Sequence, residues 1–208
     1  MTTTITLTHI PESAGSSGLD ELAAFYTSNP SNRVKERDPE QLLRAIADRK
    51  VYVVRDSAGA LCGVCGAFEY GDGTYREIGG VRVILNGFGL QGLLMSLAVA
   101  MEHQFDPPAE ALYAATAHDN NASIISIERA GFHETKDLGA RRMAALGLDQ
   151  LDVAKRYFLL PSAGLSQAEA YVCGQLSSRR IIRPAGALNL DIQPPFTDLL
   201  ALLSRSSA

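Results

Sequence analysis

"LNGFGLQGLLMSLAVAME", Leu85 to Glu102, sets two glycines two residues apart at the head of a long apolar run. Glycine weakens a helix interior, so Gly87 and Gly89 belong to a turn and the helix begins after them. Beyond the turn, Leu90, Leu93, Leu94, Leu97, Ala98 and Met101 form one wide apolar stripe, and "DPP" at Asp106 to Pro108 stops the helix. Just upstream, Tyr75 to Leu85 is a β-rich run. The stretch therefore reads as strand, glycine turn and buried helix. Such a turn leaves the first helical N–H groups pointing outward, where they suit a phosphate.

Working outward, "TITLTHI" (Thr4 to Ile10) alternates as a strand, and "GLDELAAFYTS" carries a helical pattern through Leu19, Leu22, Ala23 and Tyr26. "DPEQLLRAIADRK" is a better-marked helix, with Asp38 as cap, Pro39 in its first turn and Gln41 at the capping-box position. Val51 to Arg55 and Leu61 to Tyr70 are strand-like and joined by polar "DSAGA", which predicts an antiparallel hairpin. Downstream, Ala111 to Ala117 is a short apolar strand, and "HDNNASIISIERAGF" returns to helix between an Asn120 cap and a Gly131 stop. A strand follows from Phe132, and Ala154 to Pro161 is another. The order β-α-α-β-β-β-α-β-α-β-β predicts an α/β domain over residues 1–161. Residues 162–208 fall outside that pattern and are expected to be an extension packed on the domain or on a partner subunit.

Composition narrows the class. Hydrophobic residues are 46% and charged ones 20%, enough for a sizeable core and too apolar for global disorder. A net charge of −4 gives no footprint for nucleic acid or an anionic membrane. The basic "SSRRIIRP" at Ser177 to Pro184 reads as a solvated patch. The apolar run Leu93 to Met101 is too short to span a membrane, and the first residues lack a signal-peptide pattern. A soluble cytoplasmic protein is expected. Cys62-Gly-Val-Cys65 has redox or zinc spacing, but no further ligand set completes a metal site, and residues three apart on a strand should face opposite ways. Both are expected to be small core or half-core residues.

The glycine turn excludes two familiar phosphate sites. "NGFGLQG" lacks the lysine and the Ser/Thr of a P-loop. The upstream hairpin breaks the alternation of a dinucleotide fold, and no third glycine stands at the right offset.

"VRVILNGFGLQGLL" and "NNASIISIERAGF", in this order and at this separation behind an antiparallel hairpin, resemble the GNAT superfamily of N-acetyltransferases, over roughly Ile5 to Pro161. The resemblance implies a mixed, mostly antiparallel central sheet flanked by helices. It implies acetyl-CoA as cosubstrate and transfer of the acyl group to a small-molecule or protein amine. It carries coenzyme binding to Asn86, Gly87, Phe88, Gly89, Leu90, Gln91 and Gly92 in the turn, and to Asn120 and Ser123 near the pantetheine arm. Backbone contact with acetyl and pantetheine is carried to Val81 and Val83, at a strand bulge.

This sequence departs from the family pattern. Asn86 stands where Gln or Arg is expected, and Gln91 occupies the final small position of the turn. Ile127 takes the place of the tyrosine that protonates the departing thiolate, leaving Ser126, Tyr157 or water as replacements. A non-catalytic coenzyme A-binding module is the alternative reading.

An attacking amine must first lose a proton, which calls for a nearby carboxylate or histidine. Glu77 is the base candidate, placed by strand period on the face of Gly79, Val81 and Val83 unless a bulge changes the phase. Glu69 and His118 are alternatives, and His103 is read as structural. The tail residues Leu199, Leu200, Leu202 and Leu203 look exposed; intramolecular packing is the default, with an acceptor-groove cover or a homodimer contact as alternatives.

Overall fold

The computed structural model describes residues 3–30, 37–70, 75–106, 111–138, 143–144, 152 and 154–206. Nine strands form one sheet in the order β6-β7-β5-β4-β3-β2-β1-β9-β8. They are β1 (Thr3–His9), β2 (Val51–Arg55), β3 (Leu61–Tyr70), β4 (Tyr75–Val83), β5 (Ala111–Ala117), β6 (His133–Thr135), β7 (Lys155–Leu159), β8 (Arg180–Arg183) and β9 (Gly186–Ile192). Strands β1 to β4 run antiparallel in sequence order, as do β5–β7, β6–β7 and β8–β9, while β4–β5 and β1–β9 are parallel. The sheet is thus mixed and mostly antiparallel, with helices on both faces.

Each face has its own core. Helices α1 (Gly15–Ser28) and α2 (Pro39–Ala47) cover one face with Leu22, Phe25, Leu42 and Ile46, against Val51, Val53, Val64 and Phe68. At the start of α2, the Asp38 carboxylate accepts the Glu40 N–H at 3.0 Å and Pro39 occupies the first turn. The other face belongs to α3 (Leu90–Phe105), whose side chains are buried nearly all round, as a helix apolar on every side requires. Helix α4 (Asn121–Arg129) packs beside it, contributing Ile124 and Ile127.

The last 45 or so described residues complete this second core. Helix α5 (Ser162–Ser178) lies along α3 with Ala168, Val172 and Leu176 buried. Strand β9 then adds to the sheet beside β1, pairing Ile5 with Leu190. Helix α6 (Phe196–Ser206) sends Phe196, Leu199 and Leu203 into the core. Leu199 and Leu203, which look exposed in the sequence, are 0% and 4% exposed because α5 and the sheet cover them.

Boundaries shift modestly from expectation. Helix α1 starts at Gly15 rather than Gly18, and β4 ends at Val83 rather than Leu85. One expectation is overturned. Cys62 and Cys65 sit in the same buried cluster, not on opposite faces, because the β2–β3 register slips between Val54 and Arg55 and adds a residue at Cys62. Both thiols are free, and burial pushes them up.

Candidate active site

The site follows from two departures from regular pairing in β4. The first is a bulge: Val64 pairs with Arg82 and Gly66 with Gly79, so β4 carries one extra residue there. Gly80 takes φ +61 at this bulge, and the Tyr26 hydroxyl donates to its carbonyl. The bulge reverses the strand's phase. Glu77 and Gly79 face α1 and α2, whereas Val81 and Val83 pack on the α3 side. Glu77 therefore does not share a face with the two valines, as an unbroken period of two requires.

The second departure is a splay. Strands β4 and β5 pair at Tyr75–Ala111, Arg76–Leu112 and Glu77–Tyr113, and no further pairs form beyond that point among the described residues. A cavity of about 790 Å³ opens in the gap. Gln91, Asn120, Ser123, Ile127 and Tyr157 border one part of it, and Arg37, Gln41, Tyr70, Glu77 and Tyr113 another, with Val81 between.

Three of the residues singled out in the sequence meet at one side of the cavity. Asn120 caps α4 by accepting the Ser123 N–H at 3.3 Å. Gln91 Nε2 donates to Ser123 Oγ at 3.0 Å and so ties the first turn of α3 to α4. The residue that breaks the small-residue rule of the turn thus has a partner. Val83, Asn86, Gly87, Phe88, Gly89, Leu90 and Gly92 do not border the cavity. Leu90 and Gly92 are buried, while Asn86 and Gly87 are exposed at the turn. Gly87 and Gly89 have φ +84 and +74, values that glycine adopts without strain. Gly89 caps α3 without any side-chain acceptor, which leaves the first amides of the helix available to an anion.

At the other side, Glu77 is held tightly. Its Oε1 accepts Arg37 Nη2 at 2.5 Å, and its Oε2 accepts Arg37 Nη1 at 2.9 Å, Tyr70 Oη at 3.2 Å and Tyr113 Oη at 3.3 Å. Burial pushes the Glu77 carboxyl up, but the charge and hydrogen bonds of Arg37, with those of the tyrosines, bring it below the usual carboxylate range. The Arg37 guanidinium also lies 4.3 Å over the Phe68 ring. A β-carbon at position 79 would come within 2.6 Å of Arg37 Nη2 and 2.7 Å of Glu77 Oε1, so Gly79 makes room for the pair.

The alternatives lie elsewhere. Glu69 pairs with Lys50 at 2.7 Å and with Arg76 at 3.0 Å, away from the cavity. His118 is exposed and does not border it. His103 Nδ1 lies 2.8 Å from Glu169, joining α3 to α5. Of the residues able to stand in for a proton donor at Ile127, Tyr157 borders the cavity, whereas Ser126 Oγ donates back to the Ala122 carbonyl of its own helix.

No family model and no curated protein sequence matches the chain. Solved structures do. Rv2747 from Mycobacterium tuberculosis, in complex with coenzyme A, superposes with a TM-score of 0.53 at 13% identity, over 74% of this chain and 97% of its own. Arabidopsis thaliana Naa50 bound to the bisubstrate analogue CoA-Ac-MVNAL gives 0.53 at 15% identity, over 75% and 97%. A GNAT-family acetyltransferase from Staphylococcus aureus gives 0.51 at 14% identity, over 76% and 99%. This is the GNAT fold.

Within the GNAT fold, sequence reading missed Arg37, Tyr70 and Tyr113. Arg37 lies 40 residues from Glu77, just ahead of the Asp38 cap, and no local pattern marks it. Tyr113 is set opposite Glu77 by the parallel β4–β5 pairing, a register that no turn between the two strands marks.

Proposed function

We propose that this protein is an acetyl-CoA-dependent N-acyltransferase that passes an acyl group directly to a small-molecule or protein amine. The observation that carries the reading is the splayed gap. It leads from the Asn120, Ser123 and Gln91 side, next to the glycine turn, to the buried carboxylate of Glu77.

Each part of the chain then has a task. Gly87 and Gly89 let the diphosphate approach, and the amides of Phe88, Gly89, Leu90, Gln91 and Gly92 hold it, with Asn86 at the edge of the turn. Asn120 and Ser123 flank the pantetheine arm, and the β4 backbone at Val81 and Val83 runs along it. Beyond the Gly80 bulge, the Val81 N–H polarises the thioester carbonyl as the amine nitrogen attacks. The C–N bond forms and the C–S bond breaks. The amine approaches from the α1–α2 face, and Glu77 takes its proton through water. Arg37 makes Glu77 a weaker base, so proton uptake loosens one guanidinium contact. The departing thiolate needs little help, because a thiol of pKa about 8.5 leaves readily near neutral pH. Tyr157, which borders the cavity, or water then gives it a proton.

A coenzyme A-binding module without catalysis is the second reading. The hydrogen bonds that already occupy the Glu77 carboxylate, and Ile127 in place of a proton donor, favour it.

The test is thiol release from acetyl-CoA in the presence of polyamines, free amino acids and peptide N-termini. The enzyme reading predicts release above the buffer rate with at least one of these classes. Coenzyme binding without release with any of them would replace it with the binder.

A further inference from the structure

The turn between β8 and β9 packs directly on the glycine turn. A β-carbon at Gly87 would come within 2.9 Å of Ala185 Cβ, and one at Gly186 within 3.8 Å of the Phe88 ring. On the same side, Arg183 Nε lies 3.9 Å from where a Gly89 β-carbon would stand. Arg183 is exposed, and its Nη1 donates to the Ile182 carbonyl at 2.9 Å. It has no carboxylate partner among the described residues.

An unpaired guanidinium beside the amino end of α3 sits where the helix dipole and free amides already favour negative charge. The turn itself carries no cation, since Asn86 stands at its head and residues 86–92 are uncharged. Extended pairing of β9 with β1 anchors the hairpin on the sheet, so the guanidinium is delivered by a fixed element.

We propose that Arg183, from the C-terminal hairpin, is a binding residue for the phosphates of the acyl-CoA cosubstrate, supplying the charge that Asn86 does not. This inference rests on the coenzyme reading of the glycine turn. It gives the β8–β9 hairpin a direct part in the site, in addition to its place in the sheet.

The experiment is calorimetric titration of the full chain with acetyl-CoA and with acetyl-pantetheine, which lacks the diphosphate and nucleotide. Wild type is compared with Arg183→Gln and Arg183→Lys. Loss of one charge-assisted contact should weaken acetyl-CoA binding by about tenfold in Arg183→Gln. Arg183→Lys should recover most of that loss, acetyl-pantetheine binding should not change, and the melting temperature should stay at the wild-type value. Wild-type affinity for acetyl-CoA in Arg183→Gln would overturn the role of Arg183 and leave the coenzyme reading standing. Tighter binding in that variant would overturn it as well, marking the hairpin as an obstruction. Failure of wild type to bind acetyl-CoA would overturn both.

Discussion

The Glu77 carboxylate receives four hydrogen bonds, two from Arg37 and one each from Tyr70 and Tyr113, and its side chain is 12% exposed. A buried ion pair is weak evidence of stability, but removing one partner strands the other charge. Glu77→Gln should therefore lower unfolding stability by about 3 kcal/mol, as breaking such a pair does. The pH dependence has a definite sign. Because the folded carboxyl lies below its usual range, the pair contributes fully above that range and is lost as pH falls through the lowered value. Denaturation curves of wild type and Glu77→Gln should be far apart at neutral pH and converge in acid. A gap that does not change with pH would remove the ion pair from this account. Glu77 was legible in the sequence as a carboxylate on the strand that leads into the glycine turn. Its partner was not, because contact across 40 residues depends on how α2 meets the sheet.

At the scale of elements, two insertions in the strands redirect side chains: one at Cys62 in β3 and one at Gly80 in β4. The insertion at Cys62 is not marked by a pattern of residue types, the one at Gly80 was expected only through the resemblance, as a strand bulge, and each reverses which face the next residues take. Period-two reading fails outright at Cys62 for that reason and holds in β4 only up to the bulge, while the strands themselves were readable from their alternation. The junction of α4 and α5 was only half legible. Gly131, with φ +91, reads as a helix stop, but the need for Gly164 comes from the opposite element. A β-carbon on Gly131 would lie 2.1 Å from the Gly164 carbonyl oxygen, and one on Gly164 would lie 1.9 Å from that of Gly131. Two backbones in contact cannot yield as a flexible side chain does. Gly164→Ala should thus lower stability by about 3 kcal/mol, at the upper end of overpacking effects. Gly174→Ala, in the same helix with nothing within 4 Å, should raise it by about 0.5–1 kcal/mol. Chemical denaturation of the two variants checks both signs, and a neutral Gly164→Ala would mean that the helices do not meet this closely.

For the whole molecule, the β-α-α-β-β-β-α-β-α-β-β order through Pro161 could be read from periodicity and capping alone. The pairing of β9 with β1 could not. It joins Thr3 to Leu188 in parallel, across nearly the full chain, and parallel neighbours leave no turn signature between them. The result is a single sheet with a core on each face, in which α5 and α6 seal the buried helix α3. Against that continuous sheet, the unpaired reach of β4 and β5 is the natural place for a ligand, and the account depends on an acyl-CoA lying there. Hydrogen–deuterium exchange of the full chain, with and without acetyl-CoA, tests this most directly. The expected result is ligand-dependent protection of residues 87–92, of β4 beyond Glu77, of β5 beyond Tyr113 and of the start of α4. Protection at none of these segments, at a ligand concentration that saturates any binding seen by calorimetry, would contradict it.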